Sequence, residues 1–150
     1  MKIPPKFILI AAILLAIFGN VKAQTQTLTA SQHWDVVNSL KLVRERTVYV
    51  RNLTDQQKTE FLIEHVNRKL KSMVLNDVQR QALIDYRDSI TVEFVTELDK
   101  SPDGKSGNPA VIRAMSAMQG AGKVIKQMYE IICLFGDRET LDDPNPPKGC

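Results

Sequence analysis

Apolar positions along this chain follow two patterns. Phe7 to Phe18 is an unbroken apolar run of twelve residues, whereas from Ser31 onward apolar residues return every three or four positions with polar ones between. The second pattern predicts amphipathic helices, because positions i, i+3, i+4 and i+7 share one face of an α-helix. A first helix is predicted from about Ser31 to Arg46, where Thr29 and Gln32 have capping-box spacing and Trp34, Val37, Leu40 and either Val43 or Lys41 follow at helical intervals. A second starts at the cap Thr54 with Gln57 reciprocating, and carries Phe61, Leu62, Val66, Leu70 and Met73. Asn76 and Gln79 repeat the signature, and Val78, Ala82, Tyr86, Ile90, Phe94 and Leu98 then recur at four-residue spacing to about Lys100. The fourth runs from Pro109, capped by Asn108, to about Phe135, with Met115, Met118, Gly122, Ile125 and Ile132 in its stripe and Gly136 placed to end it.

Two stretches carry a competing strand signal. Thr47 to Val50 is β-branched and aromatic, which leaves an extended piece and a frayed last helical turn both open. Ile90 to Thr96 alternates like a strand, but the stripe that begins at Val78 runs through and past it, which favours helix. Lys100 to Asn108 is dense in Pro, Gly, Ser and Asp and is a loop. The expected fold class is all-α, a bundle of about four helices in one domain, with sequential neighbours antiparallel.

The apolar run near the start has a different meaning. Lys2 and Lys6 precede it, Gly19 and Asn20 break it, and Val21-Lys22-Ala23 forms a small-residue cleavage site, which together predict a signal peptide over 1–23 and a mature chain from about Gln24. Twelve residues are too few to span a hydrocarbon core of about 30 Å, and no later apolar run reaches about 18. The chain is therefore expected to be secreted, extracellular or, in a bacterium, periplasmic, with no membrane anchor. A helical domain over 24–136 and an acidic, Pro-rich tail over 137–150 complete the division.

Charge changes once the leader is removed. The whole chain has 20 Lys and Arg against 17 Asp and Glu, but Lys2, Lys6 and Lys22 leave with the leader, so the mature chain is formally neutral. That gives no warrant for a nucleic-acid partner, which requires a standing cationic excess. Val48 to Leu53 resembles the first ribonucleoprotein strand motif of RNA-recognition domains, yet its required counterpart would fall at Arg87 to Val95, which has no glycine and one aromatic. Charges are nevertheless uneven: Lys41 to Lys71 holds eight basic and four acidic residues, and Asp77 to Asp103 seven acidic and three basic.

Candidate sites are few. Cys133 and Cys150, an even pair in an exported chain, are expected to form a disulfide that tethers the tail, with pairing to a second chain as the alternative. Asn52-Leu53-Thr54 is a glycosylation acceptor sequence that matters only in a eukaryotic host. Ala114, Ala117, Gly120, Ala121 and Gly122 thin one stretch of the fourth helix. Close approach by a neighbouring helix is the simpler use; the sharper one is a space for a small apolar ligand walled by Met115, Met118, Gly122 and Ile125. His33 and His65 belong to no metal-ligand spacing, and no catalytic residue or cofactor site is expected. The expected function is binding of another protein, as an effector, inhibitor or immunity factor. A carrier of a small hydrophobic ligand is the alternative, and a small secreted hydrolase a more remote one.

Overall fold

Helix starts are where sequence signal and backbone agree best. In the computed structural model, which describes residues 28–100, 106–126, 128 and 134–135, Thr29, Thr54 and Asn76 each accept a hydrogen bond from the amide three residues on. Gln32, Gln57 and Gln79 accept from the cap amides in return. Reciprocal bonds of this kind satisfy N–H groups that a helix start leaves without an internal partner. They open α1 (Ala30–Ser39), α3 (Asp55–Ser72) and α4 (Asp77–Ser89). The other helices are α2 (Val43–Arg51), α5 (Val92–Lys100) and α6 (Pro109–Gln119), the last capped by Asn108 with Pro109 in its first turn. The chain is all-helical across the described residues, which contain no strand.

These are six shorter helices where about four were expected, because corners interrupt three of the stripes. The first helix stops at Ser39, Leu40 is extended at φ −77° and ψ 127°, and the chain is helical again from Val43, so Thr47 to Val50 is helix rather than strand. The Ser39 hydroxyl donates to Val36 O at 2.6 Å, and Arg46 Nε donates to Leu40 O at 2.8 Å, fixing the corner. The third stripe bends at Ile90, extended at φ −75° and ψ 113°, and Thr91 Oγ1 then accepts from Phe94 N at 3.1 Å to start α5. A straight helix from 77 to 100 would reach roughly 36 Å, well past the roughly 27 Å of α3; the corner instead returns Phe94, Val95 and Leu98 to the core. The fourth helix breaks after Gln119. Gly122 sits at φ 58°, a left-handed conformation that disfavours any side chain, and a 3₁₀ turn over Gly122–Val124 follows before residues 125, 126 and 128 are helical again.

The elements share one core around α3, which contributes Phe61, Leu62 and Val66. α1 runs antiparallel to α3, since Ser31 meets Arg68 while Trp34 meets Phe61 and His65. α4 and α5 cover other sides of α3, with Tyr86 and Phe94 edge to face at 6.3 Å between them. α6 packs on α4 in the most extensive contact of the bundle, with Gly120 at its end meeting Ala82, while Asn108 before its start donates to Glu93 of α5. A Cβ on Gly120 would stand 2.9 Å from the Ala82 Cβ, so the thinned stretch does admit a neighbouring helix closely. No described helix is long and apolar enough to cross a membrane. The leader 1–23, the tail 137–150 and the pair Cys133 and Cys150 lie outside the described residues.

Candidate functional site

Trp34, Phe61 and His65, all named from the sequence, converge with Arg68, which was not, where α1 meets α3. Phe61, His65 and Arg68 lie at i, i+4 and i+7 on α3, and all three meet Trp34. The Phe61 ring stacks on the indole at 4.4 Å, the His65 imidazole at 5.0 Å, and the Arg68 guanidinium sits 5.9 Å from its centroid. The indole Nε1 donates to Phe61 O at 2.8 Å, which removes the penalty of burying that N–H. Arg68 also donates to Glu64, to Ser31 and, at 3.4 Å, to Asp35, so its cation is held at the rim of the stack. Trp34, Phe61 and His65 were visible in the sequence; the convergence on one indole was not, because it depends on α1 running antiparallel to α3.

His33 lies beside this stack, buried, with its Nδ1 2.7 Å from the Tyr49 hydroxyl of α2. Burial pushes the Tyr49 phenol up to about 12, so it keeps its proton at neutral pH. A phenol in that state can donate to Nδ1, which puts the imidazole proton on Nε2. The pair ties α2 to α1 through a side-chain bond where the two helices otherwise touch little. A phenol held so far above neutrality is a poor base or nucleophile, and its contribution is positional.

A second polar cluster joins α3 to α5. Lys58, its side chain 8% exposed, pairs with Asp99, and the Thr96 hydroxyl donates to Asp55 Oδ2 at 2.8 Å one turn away. Removing either member of a buried ion pair strands the other charge, so the pair fixes how α5 lies on α3. Among the described residues no group of His, Cys, Asp and Glu is arranged to hold a metal ion.

The four residues proposed to wall an apolar ligand take different environments. Met118 is fully buried in the core, Met115 and Ile125 are partly buried against it, and Gly122 is exposed at the turn after α6. Asn52 ends α2, exposed, and its amide donates to Val48 O at 2.9 Å. Within the same acceptor sequence Leu53 is buried and Thr54 Oγ1 accepts from Gln57 N to cap α3.

Outside the core, large aliphatic side chains gather at the corner between α1 and α2. Leu42 is 61% exposed, Val43 59% and Val48, one turn after Arg44, 44%. Lys41 and Arg44 flank them, both exposed. Sequence periodicity placed Val43 on a core-facing stripe, and it lost that position when the corner at Leu40 turned the helix.

Fold and surface together define a small all-helical domain whose buried polar groups brace helix contacts and whose outer face at α2 is basic and aliphatic. No protein-family model matches the chain, and no curated protein or solved structure does.

Proposed function

We propose that this is an exported helical protein, freed of residues 1–23, that acts by binding another protein through the α1–α2 corner, as an inhibitor, effector or immunity factor. The exposure of adjacent Leu42 and Val43 beside Lys41 and Arg44 carries this reading. Fully covering an aliphatic side chain of this size is worth about 1.5–3 kcal/mol, and a partner that covers both gains on that order. The Ser39 and Arg46 bonds that fix the corner present these side chains on defined backbone, which lowers the ordering cost of docking. The export half of the reading rests on the leader pattern, Lys2, Lys6, Phe7 to Phe18 and Val21 to Ala23.

The test has two arms. Protein recovered from the medium or periplasm of its host should begin near Gln24 by N-terminal sequencing; recovery from cytosol with Met1 intact would remove the export claim. A photo-crosslinker at the adjacent, exposed Lys41 should trap a discrete partner, and Leu42→Asp with Val43→Asp in the same chain should lower capture at least about thirtyfold, the size of one lost hot spot. Capture unaffected by the double substitution would place binding elsewhere.

A further inference from the structure

Exposed aliphatic side chains elsewhere in this fold stand beside an acid or a single cation. Val78 follows Asp77, Val92 precedes Glu93, Val74 lies between Lys71 and Asp77, and Ile112 precedes Arg113. The α1–α2 corner differs. Leu42 and Val43 are bracketed there by exposed Lys41 and Arg44, and among the described residues neither cation enters an ion pair. Arg46, bonded to Leu40 O, adds a third positive charge, and exposed Glu45 offsets one of the three. A segment that matches this surface presents an apolar side chain among acids.

The chain carries such a segment. In the stretch 137–150, Glu139-Thr140-Leu141-Asp142-Asp143 sets Leu141 among three carboxylates, with Arg138 and Lys148 outside the five and four acids against two bases in all. The described chain ends at Phe135, fully buried in the same apolar cluster as Trp34, Val37, Val50 and Leu53 of the α1–α2 flank. Leu141 is six residues beyond it, a reach of up to about 20 Å, against a radius of gyration of about 13 Å for a domain of roughly this size. The leader is the poorer occupant, because Lys2, Lys6 and Lys22 give it the corner's own sign.

We propose that Leu141, with Glu139, Asp142 and Asp143 around it, docks on the α1–α2 corner of its own chain, so that a partner reaches the corner by displacing the tail. This rests on the reading of the corner as a docking surface and supplies its regulation. Exposed charge pairs add little singly, but the tether makes the contact intramolecular, and covering Leu42, Val43 and Leu141 adds apolar burial to charge pairing.

Carbodiimide crosslinking of the purified full chain tests this, with lysine–carboxylate amides located by mass spectrometry. Lys100 and Glu97, 2.7 Å apart, show that the reagent has acted. An undocked tail would favour Lys123 and Lys126, which are exposed and nearer along the chain, because shorter loops close more readily. A docked one should instead join Lys41 to Glu139, Asp142 or Asp143 within one chain, with a yield about fivefold or more above that at Lys126. Leu141→Ser leaves Lys41 and every tail carboxylate in place, and should lower the Lys41 yield about twofold or more while raising capture of a foreign partner at the corner. Crosslinks that favour Lys126, that are spread evenly over the exposed lysines, or that join two chains overturn the proposal. If the Lys41–tail amide is absent while Leu42→Asp with Val43→Asp still abolishes foreign capture, the binding reading stands and the tail's part falls. If the amide forms but foreign capture ignores that double substitution, the tail docks and the binding reading falls.

Discussion

Tyr49 concentrates the chemistry of a single buried group. Its phenol titrates at about 12, displaced upward because burial penalises the phenolate, and its oxygen is 2.7 Å from His33 Nδ1. A folded-state pKa raised above the unfolded value contributes stability that is complete below about pH 10 and is lost as pH rises through about 12. The ring is only part-buried, so solvent screening reduces the contribution to about 1 kcal/mol. Near pH 9, Tyr49→Phe should cost about 1 kcal/mol through the lost hydrogen bond. That deficit should shrink as pH approaches 12, because the variant has no phenolate to bury. Chemical denaturation of both proteins across that range checks it; a gap constant with pH would mean that the phenol is not desolvated in the fold.

At the scale of elements, what sequence could and could not foretell divides by mechanism. Capping boxes depend on residues three apart, so Thr29, Thr54 and Asn76 were legible in the sequence and formed as expected. The corners at Leu40 and Ile90 were not, because neither holds Gly or Pro and apolar spacing continues through both into Val43 and Phe94. Their cause is tertiary, a long stripe folding back over one small core. The break after Gln119 had a visible signal in Gly120 and Gly122, but glycines in a stripe fit close helix approach as well as a left-handed turn, and the chain uses one for each. Gly120 can be tested alone and with its neighbour. Gly120→Ala gains up to about 1 kcal/mol of helix propensity but places Cβ 2.9 Å from the Ala82 Cβ, and both atoms are fixed to backbone. Overpacking of this kind costs about 1–3 kcal/mol, so the net effect should be destabilising. Ala82→Gly removes the obstructing atom, and the double variant should be more stable than the sum of the two singles predicts, by about 1 kcal/mol. Strict additivity would show that α4 and α6 do not approach as closely as the geometry requires.

For the whole molecule, the question is whether the α1–α2 flank folds with the rest or separately. α2 touches little besides α1, and α1 touches chiefly α3, so this flank has fewer attachments than the α3–α6 assembly. Against that, Trp34, Val37, Val50 and Leu53 belong to the same continuous apolar cluster as Phe61, Tyr86, Phe94, Met118 and Phe135. Opening the flank would expose the Phe61 and His65 faces of α3 and leave Arg68 without its indole. A core shared across every helix favours a single cooperative transition, as is usual for domains below about 150 residues. Trp34 is the only tryptophan in the chain and sits at the α1–α3 contact, so its fluorescence reports this flank alone, whereas far-ultraviolet circular dichroism reports all helices. The two signals should share one denaturant midpoint. A tryptophan transition that precedes loss of helix would show the flank to be an independent low-stability unit, and would make the exposed corner at Leu42 and Val43 one that opens before the rest of the bundle.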